Sequence, residues 1–340
     1  MGIPELRGGV DLHAHWFGAD VADGGVPADW PRLVVDSRDA GRIVRGTQTF
    51  RQVRPSLWDV TARLRDLDRC GIQRQVISPV PVTFAYDSDA GASTAYAAAM
   101  NDSIARAVAA AGGRLEGLAS VPLGSPAAVS VLEQALCGPV PLVGVEIGTR
   151  VGDLELDAPE LLPFFEAAAA LGAIVFVHPS DGGAGTVRRS GQPFDFGLGM
   201  HADTALAAGA LVFGGVLERF PDLRVVLAHG CGGFAWSYPR LRLGAELFAG
   251  APVAEIDERV RSLYVDSLVL DPEHLRLLVH RFGADRIVLG TDHPFFPDIS
   301  VQARGFLIEA EGTGALPPGG AQDVFRDNGL ALLQRSGAGR

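Results

Sequence analysis

Five of the 8 histidines in this chain lie where short apolar runs end, and an aspartate accompanies the last of them. These residues are His13, His15, His178, His229, Asp292 and His293. Because side chains alternate along a strand with a period of two, His13 and His15 project to the same side and can bind one ion. Three imidazoles and one carboxylate suit a catalytic metal that keeps an open position for water. This donor set predicts a metal-dependent enzyme.

The predicted ligands are His13, His15, His178 and Asp292. Zn²⁺ in such a site lowers the pKa of its bound water to about 7, and Mn²⁺ or Fe²⁺ accepts similar nitrogen and oxygen ligands. His229 is one histidine more than this set needs, so we interpret it as a general base or proton shuttle beside the water. Taken singly, each residue is more typical of a structural hydrogen bond or a turn cap. Their shared position at successive strand ends favours the metal site.

β-branched runs alternate with amphipathic stretches along nearly the whole chain. The eight predicted strands are Val10–His15, Gln75–Pro79, Leu118–Val121, Val143–Ile147, Ile174–His178, Val225–His229, Leu263–Asp266 and Ile287–Asp292. The predicted helices are Leu57–Arg69, Ser93–Ala111, Pro126–Leu136, Pro159–Leu171, Ala202–Arg219, Gly233–Phe248, Pro272–Arg281 and Ala321–Gln334. Apolar strands that are each followed by a helix are typical of an α/β (β/α)₈ TIM barrel, in which strand ends converge on one face. A doubly wound open sheet is the alternative.

Residues 16–56 interrupt this alternation, since the segment is too long for an ordinary connection between a strand and a helix. It contains one β-like piece, Arg32–Val35. Because it follows the first strand, we expect this insertion to lie over the active-site face as a lid. No other boundary is visible, so residues 1–340 are predicted to form one domain.

Composition narrows the class of protein. The chain has 340 residues, of which 47% are hydrophobic, and 29 Lys and Arg against 40 Asp and Glu give a net charge of −11. An acidic chain is a poor partner for nucleic acid, which requires concentrated positive charge. The 3 cysteines lack zinc-ribbon spacing, Met1–Gly9 lacks a secretory pattern, and apolar runs such as Ala167–Val177 are shorter than the ~20 residues of a membrane span. We therefore expect a cytoplasmic enzyme that binds no membrane.

Shorter motifs extend the pattern of strand-end residues. They are Phe50-Arg51, Leu57-Trp58-Asp59, Ser78-Pro79-Val80-Pro81-Val82, Met100-Asn101-Asp102, Val177-His178-Pro179, Gly199-Met200, His229-Gly230, Gly290-Thr291-Asp292 and Asn328. In this order, from about Val10 to Leu333, the chain resembles the 2-amino-3-carboxymuconate-6-semialdehyde decarboxylase family of the amidohydrolase superfamily. The resemblance implies a distorted barrel and a zinc-dependent, non-oxidative decarboxylase without an organic cofactor. It also implies a homodimer.

The resemblance assigns roles to further residues. It implies that His13, His15, His178 and Asp292 bind the metal and that His229 deprotonates the metal-bound water. Arg51 would bind a substrate carboxylate, because a guanidinium forms two parallel hydrogen bonds with such a group. Arg240 would reach the active site of the neighbouring subunit.

Four positions depart from the family pattern. His293 replaces a tyrosine, Ser180 and Phe196 replace tryptophans, and Glu146 replaces a glutamine. We place Phe196 and His293 on the substrate side of the site. The resemblance implies 2-amino-3-carboxymuconate semialdehyde as the substrate, and these changes make a related aromatic or enol carboxylate an equal alternative.

Two other functions remain open on the sequence. A metal-dependent hydrolase of lactones or amides would use the same ligands, and it would add water where a decarboxylase releases CO₂. A non-catalytic small-molecule binding protein would need neither an open metal position nor a free histidine. The complete donor set favours an enzyme.

Overall fold

The structure, a computed structural model, describes residues 6–24, 27, 29–86, 88–180 and 182–336. Eight parallel strands form one sheet in chain order. They are β1 (Gly9–Trp16), β2 (Ile72–Pro79), β3 (Leu115–Ala119), β4 (Gly144–Ile147), β5 (Ile174–Val177), β6 (Arg224–Leu227), β7 (Tyr264–Asp266) and β8 (Ile287–Val288). Parallel bridges from Asp11 to Leu289 and from Ala14 to His293 close the sheet on itself. The predicted distorted (β/α)₈ barrel is confirmed, and the open-sheet alternative is wrong.

The helices lie outside the barrel and cover its apolar strands. They are α1 (Val60–Cys70), α2 (Ala90–Ala110), α3 (Ala128–Cys137), α4 (Leu162–Ala170), α5 (Met200–Phe213), α6 (Val216–Arg219), α7 (Phe234–Ala249), α8 (Val253–Ser262), α9 (Pro272–Phe282), α10 (Pro297–Gly312), α11 (Gly320–Gln322) and α12 (Asn328–Ser336). The sequence analysis did not predict α8 and α10. Prolines precede or begin both helices, and such residues are also typical of loops.

Several strand boundaries differ from prediction, by one to four residues. β3 begins three residues before the predicted Leu118. β8 ends at Val288 instead of the predicted Asp292. Beyond β8 the chain is joined to β1 by isolated bridges and hydrogen bonds. Among them, the backbone N–H groups of Asp292 and His15 donate to the carbonyls of His13 and His293 at 2.9 and 2.8 Å. The end of the last strand therefore departs from regular pairing where the predicted ligands lie.

The insertion after β1 is built around a three-stranded antiparallel sheet of Pro31–Val35, Gly41–Arg45 and Gln48–Val53. The predicted piece Arg32–Val35 lies in its first strand, and the other two strands were not predicted. Ile43 is fully buried and joins the core between the barrel and its cover. The sheet is thus held against the barrel by apolar contacts, and its third strand carries Arg51.

The stretch Asp195–Phe213 has 19 residues and a mean hydropathy of 1.3, so by length and composition alone it could cross a membrane. This corrects the expectation that the apolar segments fall short of that length. One such helix is weak evidence of a membrane span. Most of the stretch is α5, which packs against α7 on the outside of the barrel.

A buried arginine connects the insertion to the barrel. Arg63 of α1 is fully buried, and its Nε donates to the carbonyl of Ser56 at 2.8 Å. Its two terminal nitrogens donate to Oε1 of Gln75 at 2.6 Å and to the carbonyl of His15. Gln75 in turn donates to Asp11 on β1 at 2.7 Å. This hydrogen-bond chain fixes the backbone that carries the two histidines of β1.

Replacement of Arg63 by methionine is expected to lower the free energy of unfolding by about 3–5 kcal/mol, because it leaves several buried acceptors unpaired. Urea unfolding followed by circular dichroism measures the change. The control is Arg74→Met on β2, whose partly exposed side chain lies 3.7 Å from Glu116 and whose loss is expected to cost under about 1 kcal/mol. Equal small losses in both variants would contradict the role of Arg63.

Candidate active site

Four ligand-type side chains meet at the carboxyl ends of the barrel strands. His13 and His15 lie on β1, His178 directly follows β5, and Asp292 follows β8. One ligand atom from each lies within 4.8 Å of the others, and all four residues are buried. The residues predicted as metal ligands from the sequence are therefore brought together, although they span most of the chain.

The orientation of the three imidazoles fits a metal ion. Nδ1 of His13 lies 2.6 Å from Oδ2 of Asp266. Nδ1 of His15 and of His178 lie 3.0 and 2.7 Å from the carbonyls of Pro79 and Pro179. Because these acceptors take the proton at Nδ1, the neutral form of each ring, which is the form that binds a cation, would carry its free electron pair on Nε2. All three Nε2 atoms are buried. Those of His13 and His178 lack a hydrogen-bond partner among the described residues, and that of His15 faces Asp292, which is the arrangement that a bound cation would complete.

Asp292 supplies the negative charge of this cluster. Its Oδ1 lies 3.1 Å from Nε2 of His15 and 3.7 Å from Nε2 of His13. Burial would raise the pKa of this carboxyl, but the hydrogen bond with His15 and the charge of His13 outweigh burial and lower the pKa to about 2. Asp292 is therefore ionised at neutral pH and offers an anionic oxygen to a cation.

Asp266, at the end of β7, is a site residue that the sequence analysis missed. Its carboxylate holds His13, and it also accepts the backbone N–H groups of His229 at 2.9 Å and Gly230 at 2.8 Å. Burial would raise its pKa, but the hydrogen bond with His13 outweighs burial and lowers the pKa below its usual value. The signal in the sequence is an acidic residue at the end of the otherwise uncharged run Leu263–Asp266. One carboxylate thus orients a predicted ligand and the predicted base together.

His229 lies beside the ligands without completing their set. Its ring centroid is 4.9 Å from that of His178 and 5.2 Å from that of His13. Its Nδ1 is buried and has no hydrogen-bond partner among the described residues. Burial, reinforced by the charge of His13, lowers the pKa of His229 to about 4, so the ring is neutral at physiological pH. A neutral imidazole at this position can accept a proton, as the prediction of a general base requires.

The backbone is strained at two of these residues. His229 and Asp292 have φ angles of 52° and 53°, a left-handed conformation that few residues other than glycine adopt. Each such residue costs on the order of 1 kcal/mol or more and persists only where the surrounding contacts impose it. Here the His229 N–H is held by Asp266, and the Asp292 N–H by the carbonyl of His13. These hydrogen bonds therefore stabilise a strained backbone conformation that directs the side chains of His229 and Asp292 toward the cluster.

Two cavities adjoin the cluster and share five lining residues, namely Phe196, Met200, His229, Asp292 and Phe296. The smaller cavity, called the Arg51 lobe, has a volume of about 80 Å³, and its other lining residues include Phe50, Arg51, Ser180, His15, His178 and Phe295. The larger cavity, called the apolar lobe, has a volume of about 300 Å³, and its other lining residues include Leu268, Val269, Leu270 and Ile299.

Arg51 reaches from the insertion sheet into the same lobe as the ligands. Its guanidinium carbon lies 4.1 Å from the ring centroid of Phe295 and 5.2 Å from that of Phe296. Burial lowers the pKa of Arg51 below its usual value, with the charge of Asp292 opposing this effect. An arginine pKa starts so high that the group stays charged at neutral pH. The position suits the predicted grip on a substrate carboxylate.

The other predicted substrate residues fall in different surroundings. Phe196 is 43% exposed and lines both lobes, where its ring lies 5.7 Å from that of Phe296. Glu146 of β4 is fully buried, with Oε1 3.9 Å from Nδ1 of His15, and burial raises its pKa well above the usual value. Two of the four departures from the family pattern, Ser180 and Phe196, thus line the Arg51 lobe.

His293 is turned away from the two lobes. It is 2% exposed, and its Nε2 lies 3.3 Å from Oδ2 of Asp66, which also pairs with Arg54 at the end of the insertion sheet. Burial lowers the pKa of His293 to about 4. The contacts of His293 stabilise the junction of insertion and barrel, so its predicted role in substrate binding gains no support from this position.

Arg240 lies on the outer surface of α7. It lines an exposed groove with Trp236, Leu243, Leu247 and Phe248, and it lines neither lobe of the same chain. Its predicted contact with an active site therefore requires a second subunit.

The protein prepared without a chelator is expected to bind about one divalent ion per chain. Replacement of Asp266 by asparagine is expected to weaken metal affinity roughly 10–100-fold, because it disturbs the group that orients His13. Competition with a chromogenic chelator measures this affinity. Asp271→Asn, which changes an exposed cap of α9, is the matched control and is expected to leave the affinity unchanged. Unchanged affinity in the Asp266 variant would contradict the orienting role.

Comparison with known proteins agrees with this geometry. The family model described as Amidohydrolase matches residues 10–335. The 2-amino-3-carboxymuconate-6-semialdehyde decarboxylase of Dictyostelium discoideum is 32% identical over 318 residues, which cover 88% of this chain and 85% of that protein. The enzyme of the same name from Caenorhabditis elegans is 26% identical, with 84% of this chain and 85% of that protein covered.

Solved structures share the fold. The apo form of Metarhizium anisopliae IDCase superposes with a TM-score of 0.81 at 20% identity, covering 96% of this chain and 97% of that one. A dihydroxybenzoic acid decarboxylase from Polaromonas sp. JS666, solved with bound manganese and 2-nitroresorcinol, gives a TM-score of 0.72 at 20% identity and covers 97% of each chain. At this identity the likeness establishes the architecture alone. The family match and the sequence relatives confirm the resemblance seen in the motifs, and the chain belongs to the amidohydrolase family, among the relatives of 2-amino-3-carboxymuconate-6-semialdehyde decarboxylase.

Proposed function

We propose that this protein is a divalent-metal-dependent, non-oxidative decarboxylase of an unsaturated or aromatic carboxylate, such as 2-amino-3-carboxymuconate-6-semialdehyde. The observation that carries the proposal is the shared cavity of Arg51 with the ligand-type residues His15, His178 and Asp292. One small lobe thus contains a guanidinium that can form two hydrogen bonds with a carboxylate, beside a cluster of residues that can bind a cation. The relatives named above are decarboxylases, which supports the same reaction class.

His13, His15, His178 and Asp292 would hold the ion. A divalent cation in this position supplies Lewis acidity and lowers the pKa of water that it binds. We propose Zn²⁺, because three imidazoles and a carboxylate match its usual ligands. Mn²⁺ is the competing ion, since a structural relative was solved with manganese. Elemental analysis of the purified protein distinguishes the two.

The residues of the Arg51 lobe would bind the substrate, exclude water and transfer a proton. Arg51 binds and orients the carboxylate, and the rings of Phe295 and Phe296 beside it exclude water. When the carbon–carbon bond breaks, its electron pair stays on the substrate carbon, which then carries a proton in place of CO₂. His229 lines both lobes next to the metal-ligating residues. Its neutral imidazole can therefore accept a proton from water and return it to the substrate carbon.

Product analysis tests the reaction class. A decarboxylase releases CO₂ without net addition of water, whereas a hydrolase of the same family adds water to a lactone or amide. Incubation of the metal-loaded protein with carboxylated muconate semialdehydes, hydroxybenzoates and lactones is expected to release CO₂ from a carboxylate. Hydrolysis of a lactone with no CO₂ from any carboxylate would overturn the proposal.

We also propose a cytoplasmic homodimer that uses the outer face of α7. Trp236 and Phe248 are 82% and 89% exposed there, and Leu247 is 64% exposed. An apolar surface of this kind is typical of a protein interface. A reducing compartment agrees with the free thiols of Cys70, Cys137 and Cys231.

Arg51→Lys keeps the positive charge but loses the two parallel hydrogen bonds, so kcat/KM is expected to fall roughly 10–100-fold, or about 1.4–2.8 kcal/mol. Steady-state CO₂ release measures the loss. Arg45→Lys, on an exposed position of the same insertion sheet, is the control and is expected to keep wild-type kcat/KM. A wild-type rate in the Arg51 variant would show that this arginine does not bind the carboxylate.

His229→Ala is expected to retain its metal but to lose roughly 10²–10⁴ in turnover, the usual contribution of a positioned general base. Metal content and CO₂ release are measured on the same preparation. His280→Ala, an exposed position on α9 away from both lobes, serves as the control and is expected to keep wild-type turnover. Loss of metal together with activity would instead make His229 a ligand, and full activity would end its catalytic role.

Leu247→Asp places a charge on the exposed face of α7 and is expected to convert a dimer to monomers, with reduced activity if Arg240 acts across the interface. Sedimentation velocity measures the oligomeric state. Val301→Asp, which changes another exposed apolar residue on α10, is expected to leave the dimer intact. A wild-type protein that sediments as a monomer would contradict the proposed interface.

A further inference from the structure

Decarboxylation of a carboxylate consumes a proton in every turnover. The carbon–carbon bond breaks, its electron pair stays on the substrate carbon, and that carbon takes a proton as CO₂ leaves. If His229 takes this proton from water and returns it to the carbon, the hydroxide left behind must be neutralised by a proton from solvent. His229 is only 8% exposed. The active site therefore requires a path for protons between its buried base and the solvent.

The titratable groups that line the two lobes narrow this path. The Arg51 lobe contributes four buried groups and one arginine that stays charged at neutral pH, namely His15, His178, His229, Asp292 and Arg51. The apolar lobe adds three exposed groups, which are His201, Asp271 and His274. Imidazole is the side chain that both takes up and releases a proton near neutral pH. Among the described lining residues, the exposed histidines of the apolar lobe are therefore the candidates.

The ring of His201 lies nearly parallel to the ring of His229. The two centroids are 6.4 Å apart, and the ring planes differ by 17°. This separation is too long for a direct hydrogen bond between ring nitrogens, and it fits one bridging water. The apolar lobe, at about 300 Å³, has room for several waters, each of which takes about 30 Å³. The geometry allows a proton to pass from His201 through water to His229.

The backbone holds His201 at this distance. His201 is the second residue of α5, and its carbonyl accepts the N–H of Gly233 at 3.1 Å. Gly232 packs so closely on the same carbonyl that a Cβ at this position would lie 2.2 Å from the oxygen. The φ angle of Gly232, 57°, also favours glycine. Both glycines belong to the turn that follows His229, so the turn that positions the predicted base also positions His201.

The charges around His201 keep its ring able to exchange protons. Partial burial lowers the pKa of His201 below its usual value, the charge of Asp266 opposes this effect, and the charge of His274 adds to it. Asp271 lines the same lobe. The ring of His201 is therefore mostly neutral at physiological pH, and it can take a proton from solvent and release it into the lobe.

We propose that His201 is the proton-relay residue of this active site and carries protons between solvent and His229 through water in the apolar lobe. The inference rests on the proposed function, because decarboxylation is the reaction that consumes the proton. His201 acts through His229 and not on the substrate.

Replacement of His201 by phenylalanine keeps a ring at this position but removes its nitrogens. In this variant kcat for CO₂ release is expected to fall roughly tenfold or more with KM unchanged, because proton delivery is lost and substrate binding is not. His280→Phe, at an exposed position of α9 that lines neither lobe, is the matched control and is expected to keep the wild-type kcat. A wild-type kcat in His201→Phe, or a rise in KM as large as the fall in kcat, would overturn the relay.

Chemical rescue separates a relay from a structural role. In His201→Ala, which leaves space at this position, added 2,6-lutidine is expected to raise kcat toward the wild-type value. This base carries protons, and its two methyl groups hinder binding to a metal. Lutidine is expected to leave the wild-type protein and His280→Phe unchanged. A loss of turnover in His201→Ala that lutidine does not relieve would contradict the proposal.

Exchange of the His229 ring proton with water tests the relay without turnover. NMR on metal-loaded protein with isotope-labelled histidine measures this rate, which is expected to slow roughly tenfold in His201→Phe and to stay unchanged in His280→Phe. Unchanged exchange in His201→Phe would refute the relay. Slower exchange in a protein that releases no CO₂ from any carboxylate refutes only the decarboxylase. CO₂ release with wild-type kcat and wild-type exchange in His201→Phe refutes only the relay.

Discussion

The closure of the barrel between β8 and β1 is the constraint on which the active site depends. Regular pairing ends at Val288, so side chains complete the joint. The buried carboxylate of Asp11 accepts from Oγ1 of Thr291 at 2.6 Å and from Nε2 of Gln75 at 2.7 Å. Because His13 lies two residues after Asp11 and Asp292 directly follows Thr291, this joint sets the spacing of the ligands. A slip of one residue would turn His13 out of the site.

Asp266 performs the corresponding task on the opposite side of the cluster. It fixes the ring of His13, the turn of His229 and, through the Leu268 N–H, the wall of the apolar lobe. The predicted ligand His13, the predicted base His229 and one wall of the apolar lobe are therefore tied to one buried carboxylate. The strained backbone of His229 is tolerated because that carboxylate pairs with its N–H.

The sequence was sufficient for the barrel and the ligand cluster, because both follow from local patterns. Alternation on one strand aligns His13 with His15, and parallel strands bring His178 and Asp292 to the same face. Asp266 was missed because the sequence shows only an acidic residue at the end of an apolar strand, while its partner His13 lies 253 residues away. The family pattern placed His293 on the substrate side, whereas its ring turns toward Asp66. The lobes could not be foreseen, because loops from distant strands enclose them.

The insertion sheet, which carries Arg51, and the barrel, which carries the ligand cluster, differ in how easily they open by local unfolding. The predicted metal ligands His13 and His15 lie on β1, which is buried throughout, while the strand Gln48–Val53 that carries Arg51 is exposed along much of its length. Segments with exposed backbone hydrogen bonds open in local fluctuations well below the energy of global unfolding. We therefore expect amides of this sheet to exchange with solvent before those of β1, so that the proposed hold of Arg51 on a carboxylate can be released while the ligand cluster stays folded. Product release and substrate entry then need no opening of the barrel.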